Sequence, residues 1–412
     1  MKFHHFLLLL GTALLFTQCK KENNQPPVDT VDFSCSDQPT VCELTADNDN
    51  FAIEVFQQIN SEETADKNIF ISPFSMSTAL TMTANGAADQ TLEKMRNTLK
   101  INNLSMASVN DSYKTLLATL PNLDANTKLL LANSIWPQQD YPVLPSFLQA
   151  NSTYFNSEVV PVDFKQSDVV VGKVNQWVSD KTNGLIPQTL DQLPAETVML
   201  LINAIYFKGA WKTIFKEEDT QPADFNAPSG IVQVDMMHIA ENDFPYFENE
   251  LFQAVDLPYG DSIFSMTVLL PKENYSADDL ISAMTPATYN QWLAALHTTA
   301  VQLYLPKFKL EYEVKMKRAL SDMGMSLAFS DAADFTNMID GGGVKIDEVI
   351  HKAVVEVNEK GTAAAAVTVV QIIDTAVHIP PVVNVNRPFV FVIRDNKTNS
   401  ILFMGKVVNP TI

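Results

Sequence analysis

Hydrolysis, group transfer and metal chemistry each need particular side chains at particular spacings, and this chain of 412 residues carries few such sets. Its histidines, His4, His5, His238, His297, His351 and His378, are scattered without the paired spacing of metal ligands. No GxSxG, HExxH, P-loop or GxGxxG stands at a useful position. Gly341-Gly342-Gly343 lacks the Lys-Ser/Thr that a phosphate cradle needs, so it reads as a loop. Asp47 and Asp49 miss the calcium-loop pattern because Phe51 occupies the third ligand position. Cys35 and Cys42 have no His or second Cys pair nearby; they are either a small local disulfide or two free thiols. These residues argue against an enzyme and call for neither metal nor cofactor. A Ser/His/Asp triad assembled by the fold is the enzymatic alternative left open.

One stretch is set apart by its pattern: 351–379, HKAVVEVNEKGTAAAAVTVVQIIDTAVHI. At its start Val349, His351, Ala353, Val355 and Val357 share one face of a strand, while Ile350, Lys352, Val354 and Glu356 share the other. That alternation predicts a half-buried strand. After Glu359-Lys360-Gly361 the chain turns to small and β-branched residues with almost no charge as far as Asn386, a composition that favours extended structure. On composition alone this is a core strand.

The elements that must position this stretch fill most of the chain. The length suits two or three average domains or one large α/β domain, and 46% hydrophobic residues are ample for a core. A net charge of −20 argues against nucleic acid and anionic membrane surfaces as partners, since both need basic patches. Residues 1–18 read as an export signal: Lys2 supplies the positive end, and Phe6 to Phe16 is apolar but too short to span a bilayer. FTQC, ending at Cys19, resembles a bacterial lipobox, with Gln18 bulkier than the usual residue there. Lipidation of Cys19 would anchor the protein in the bacterial envelope, in the periplasm, at the outer membrane or at the cell surface; the alternative is a plain secretory signal. Residues 19–45, rich in Asn, Asp, Pro and Thr, read as a flexible tether.

The folded domain is expected over 46–412. Asp47 to Ile59 predicts a first helix with Ala52, Val55, Phe56 and Ile59 on its buried face. Thr197 to Trp211 is a continuous apolar run that reads as a strand buried on both faces. From Val232 to Pro271 short strands alternate with turns, and Val301 to Met325 continues that second sheet with a strand and a helix ending at Gly324. FVFVIRD and ILFMGKVV flank a hairpin turn at 396–400 whose apolar arms belong in the core.

HKAVVEVNEKGTAAAA resembles the hinge signature of the serpins. NIFISPFSMSTAL (68–80), ANSIWPQ (132–138), VNQWVSDKTNGLIP (174–187) and TVMLLINAIYFKGAW (197–211) also match that family in chain order. The resemblance implies an α+β fold with a large mixed central sheet, two further sheets, eight to nine helices and an exposed reactive-centre loop at 359–381. It implies a suicide-substrate inhibitor: a serine protease, or a cysteine protease of papain type, attacks the loop, which then inserts into the central sheet and traps the acyl-enzyme. The alternative within the family is a non-inhibitory binding or surface protein.

Residue by residue, the hinge falls on Glu359, Lys360, Gly361, Thr362, Ala363, Ala364, Ala365 and Ala366, none of the last five charged or Pro. Family spacing from Glu359 puts the scissile bond between Thr375 and Ala376, and matching downstream selects Val377 before His378; Asp374 would suit an Asp-directed protease. The loop has no Lys, Arg, Phe, Tyr, Trp or Leu from 361 to 386. Elastase-like or subtilisin-like enzymes are therefore the expected targets. Ser72, Ser75, Asn203 and His351 would form the polar cluster where the sheet opens, and Trp211, Lys307 and Glu359 would sit where the loop enters, with Lys307 and Glu359 paired. Around 111–121 only Lys114 is basic, so no heparin-type activation is expected. A monomer is expected.

Overall fold

The computed structural model describes residues 33–194, 196–362 and 380–411. In chain order, α1 (Pro39–Glu62), β1 (Ile69–Ile71), α2 (Pro73–Ala84), α3 (Asp89–Thr98) and α4 (Met106–Thr119) precede β2 (Thr127–Pro137). Next come α5 (Pro145–Phe155), β3 (Ser157–Val159), α6 (Ser167–Lys181) and β4 (Met199–Ala210). The chain then runs through β5 (Gln221–Ala227), β6 (Gly230–Glu248), β7 (Phe252–Tyr259) and β8 (Phe264–Pro271). After α7 (Ala277–Ala283) and α8 (Pro286–Ala295) follow β9 (His297–Pro306), β10 (Phe308–Lys315) and α9 (Lys317–Leu320). The last strands are β11 (Ile350–Asn358), β12 (Gly361–Thr362), β13 (Val382–Asn384), β14 (Phe389–Asp395) and β15 (Ile401–Val407).

These strands make two sheets. One has six strands in the order β10-β11-β12-β4-β2-β3. The other has nine, running β1-β15-β14-β8-β7-β6-β9-β13 with β5 also on β6. The two further sheets expected beside the central one are continuous here, because the long β6 pairs with β5, β7 and β9 along its length. The expected α+β fold is otherwise as read, with nine α-helices among the described residues.

Several sequence readings are corrected. Helix α1 starts at Pro39, not Asp47, so residues 39–45 of the assigned tether are helical. Proline is favoured in a helix's first turn, where its missing N–H costs nothing, and Val41 and Leu44 are buried. A disulfide between Cys35 and Cys42 ties the preceding turn to this helix. Strand β4 is fully buried only from Ala204 onward, apart from half-buried Lys208; Met199 to Asn203 are half-buried. Val301 to Met325 is not one strand and a helix. Its two strands lie in different sheets, β9 pairing with β6 and β10 with β11, and the chain crosses over at Lys307.

The C-terminal hairpin behaves as its pattern predicts. Every residue of β14 and β15 is buried, and each large apolar side chain there contributes about 1.5–3 kcal/mol. Among them Arg394 meets Asp256 at 3.1 Å, and Asp256 also accepts the Thr267 hydroxyl at 2.6 Å. The Asp256 carboxylate is thus held by a charge and a hydroxyl together, as buried charges require.

In the six-stranded sheet the central feature is an interruption. Strand β2 pairs with β4 from Thr127↔Gly209 to Pro137↔Met199, and β10 with β11 from Phe308↔Val357 to Lys315↔Ile350. Among the described residues, the two of β12 stand between β4 and β11, with Gly361 opposite Ala210 and Asn358, and Thr362 opposite Gly209 and Val357. Beyond Thr362 no ladder joins β4 to β11 among the described residues.

Candidate functional site

The chain enters the gap through a tightly built hinge. Gly361 adopts φ +131°, and a Cβ there would lie 2.2 Å from the Gly209 carbonyl oxygen, so only glycine passes. Trp211 holds both flanks of the turn: its indole N–H donates to the Asn358 carbonyl at 2.9 Å and its backbone N–H to that of Lys360 at 3.0 Å. The Phe215 N–H donates to the Glu359 carbonyl at 3.0 Å. The Glu359 carboxylate takes the Lys307 ammonium at 3.2 Å and the Thr220 hydroxyl at 3.0 Å. Burial opposes its ionisation, but its own backbone N–H, together with Thr220 and Lys307, more than offsets that and holds its pKa below the ordinary value. Lys307 and Glu359 are thus paired, and Trp211 holds the residues on either side of Glu359. Thr362, the residue after Gly361, is buried and its hydroxyl lies 2.8 Å from that of Tyr259.

A second cluster lies at the start of α2, where side chains of β4 and β11 meet it. Ser72 caps that helix, accepting the Ser75 N–H at 3.2 Å and donating to the Leu402 carbonyl at 2.8 Å. Its backbone N–H donates to His351 Nε2 at 3.0 Å. The Ser75 hydroxyl donates to Asn203 Oδ1, whose amide donates to Asn133 Oδ1 at 2.6 Å, and Asn133 reaches the Phe155 carbonyl at 2.7 Å. His351 belongs to β11 and Asn203 to β4. The first turn of α2 therefore bridges, through side chains, two strands that share no ladder. Ser72 offers His351 its backbone N–H and not its hydroxyl, so the pair is not a nucleophile with its base.

Resemblance singles out Ser72, Ser75, Asn203, His351, Trp211, Lys307 and Glu359 within these clusters and misses Asn133, Thr220 and Tyr259. Asn133 has a usable signal: it and Asn203 are each a lone amide within an apolar strand, and they stand directly opposite each other. Thr220 and Tyr259 carry none, because a loop threonine and a strand tyrosine are ordinary. Of the remaining assigned residues, Cys19, Ala363, Ala364, Ala365, Ala366, Asp374, Thr375, Ala376, Val377 and His378 lie outside the described residues.

Burial drives the His351 pKa down from 6.5 to about 3. Accepting from Ser72 needs an unprotonated Nε2, so the folded state holds the neutral ring. Its folded pKa is below the unfolded one; the stabilisation is complete above pH 6.5 and is lost as pH falls toward about 3. His351→Gln, which keeps an acceptor but does not titrate, is expected to flatten this part of the stability profile. Thermal midpoints of both proteins from pH 7 to pH 4 check it; parallel curves would refute the assignment.

Comparison with known proteins places these features. The family model described as Serpin (serine protease inhibitor) matches residues 46–410. Iripin-8 of Ixodes ricinus is 36% identical over 378 residues, spanning 88% of this chain and 93% of that protein. Neuroserpin of Gallus gallus is 32% identical over 370 residues, spanning 87% and 90%. Among solved structures, human thyroxine-binding globulin superposes with a TM-score of 0.83 at 30% identity, covering 90% of this chain and 100% of that one. Tengpin, a thermophilic serpin in its native state, gives 0.80 at 35% identity, covering 89% and 94%. With the family model spanning nearly the whole described fold and relatives of this similarity along most of their length, the chain belongs to the serpin family.

Proposed function

We propose that this protein is a suicide-substrate inhibitor that traps its target protease as a covalent acyl-enzyme. Family membership supports protease inhibition rather than catalysis. The observation that carries the finer reading is β12: two residues already paired on both sides as the start of a strand, above edges of β4 and β11 that no ladder joins among the described residues. Each backbone hydrogen bond that an inserting strand adds is worth about 0.5–1.5 kcal/mol net. The register starting at buried Thr362 would continue inward with Ala364, Ala366, Thr368, Val370 and Ile372, small residues first and larger apolar ones last. No charge would be buried as far as Ile372; the next position of that register is Asp374, one residue before the scissile bond.

In this mechanism the protease nucleophile attacks the Thr375 carbonyl, the bond to Ala376 breaks, and Ala376 leaves with a new amino terminus. The protease stays bound through an ester, or a thioester for a cysteine enzyme, to Thr375. Freed at one end, the loop inserts before water cleaves the acyl bond. From 362 to 375 an extended strand spans about 45 Å at about 3.3 Å per residue, enough to carry the protease along the sheet. With no Lys, Arg, Leu, Phe, Tyr or Trp from 361 to 386, the loop fits the small specificity pockets of elastase-like or subtilisin-like enzymes. The alternative bond is Val377–His378.

Mixing the protein with elastase-like, subtilisin-like, papain-like and trypsin-like proteases is expected to give an SDS-resistant complex with the first two and a released peptide beginning at Ala376. Thr362→Arg, which forces an unpaired charge into a buried position, should turn inhibitor into substrate. Clean cleavage without complex by every protease would replace this reading with a non-inhibitory one, and unchanged stoichiometry for Thr362→Arg would sink insertion.

The same proposal puts the protein in the bacterial envelope, tethered through lipidated Cys19. The export-like segment before Cys19 supports this, as does the Cys35–Cys42 disulfide, a bond that persists in oxidising compartments. Cys19→Ser is expected to move the protein from the membrane fraction to the soluble exported fraction; an unchanged distribution would exclude lipidation there.

A further inference from the structure

We infer that Tyr259 is a positioning residue for the hinge: its hydroxyl holds Thr362 in the mouth of the gap, so that insertion starts from a docked residue. The inference rests on the loop-insertion reading above. Tyr259 ends β7, a strand of the other sheet, yet its hydroxyl reaches 2.8 Å from Thr362 Oγ1 across a separation of 103 residues. Both residues are buried, with exposures of 0% and 4%.

The tyrosine ring cannot easily move. It stacks on Trp211 with centroids 4.4 Å apart, and Phe207 meets it edge-on at 5.0 Å. It also presses on Gly209, where a Cβ would come within 2.7 Å of the ring. Trp211 is itself bonded to Asn358 and Lys360 on either side of the turn. The phenol oxygen is thus set at a fixed point directly beneath the first inward side chain.

A buried hydroxyl without a partner is costly, and that asymmetry gives the contact its effect. If the hinge swings out, Thr362 gains water but Tyr259 stays buried and loses the hydroxyl facing it. The docked arrangement is therefore favoured before any protease arrives. It also sets a requirement at position 362 that goes beyond lack of charge. Valine has the same branched shape as threonine but leaves the phenol unanswered, whereas serine keeps the hydroxyl. A docked start matters because insertion competes with hydrolysis of the acyl bond. Two residues already paired spare the strand its first, unrewarded ordering steps.

Hydrogen exchange of peptides covering 358–362 in the wild type, Tyr259→Phe, Thr362→Val and the double variant tests the latch. Each single variant should exchange roughly tenfold faster, the size of one buried hydrogen bond. The double variant, apolar on both sides, should return near the wild-type rate. With a protease that the wild type traps, stoichiometry of inhibition should rise in the singles and recover in the double. Unchanged exchange in Tyr259→Phe, or a double variant showing the summed effect of the singles, overturns the latch. Should Tyr259→Phe not fold, Thr362→Ser against Thr362→Val decides: equal protection in both overturns it. A wild type that forms no covalent complex would defeat the inhibitor reading, while the exchange measurements would still judge the latch.

Discussion

A sheet interior does not normally leave backbone donors and acceptors unmatched, because each one buried without a partner costs more than a hydrogen bond is worth. Among the described residues the facing edges of β4 and β11 are joined only by the two residues of β12, and two clusters of polar side chains gather around that place. The neighbouring pairs β2–β4 and β10–β11 are long and regular, so each half of the sheet has its own continuous ladder. What holds the halves in place is indirect. Ser72 and Ser75, one turn apart at the start of α2, reach His351 on one half and Asn203 on the other.

This division of labour explains the placement of polar groups in an otherwise apolar interior. Side-chain bonds from a single helix turn reach both strands where no ladder joins them among the described residues. The neutral His351 suits such a site: a charged ring there would be both desolvated and unable to accept from Ser72. At the upper end, Glu359, Lys307, Thr220 and Trp211 fix the turn from outside the gap, while Tyr259 meets Thr362 from beneath. Two glycines, Gly209 and Gly361, let backbone and ring approach closely enough for both.

The acidity of the chain has no visible part in this machinery. The ion pair at the hinge is local, and the pair deep in the other sheet, Arg394 with Asp256, is buried. The gap and its latches follow from backbone geometry, small side chains and a few uncharged hydroxyls and amides.

Much of this is legible in the order of the residues. Periodicity alone marks the half-buried β11, the buried C-terminal hairpin and the apolar face of α1, because a strand's alternation and a helix's stripe are written directly along the chain. The uncharged run after Gly361 is equally plain. Other features are decided only by the tertiary structure. That β9 and β10 lie in different sheets depends on what each strand finds as its neighbour, and their apolar patterns are alike. The early start of α1 comes from Val41 and Leu44 finding a core to cover, against a local composition that reads as loop. The amide pair Asn133–Asn203 and the hydroxyl pair Tyr259–Thr362 join residues 70 and 103 positions apart. A lone polar residue in a strand announces that it needs a partner; only the register and the packing of two sheets decide which one it gets.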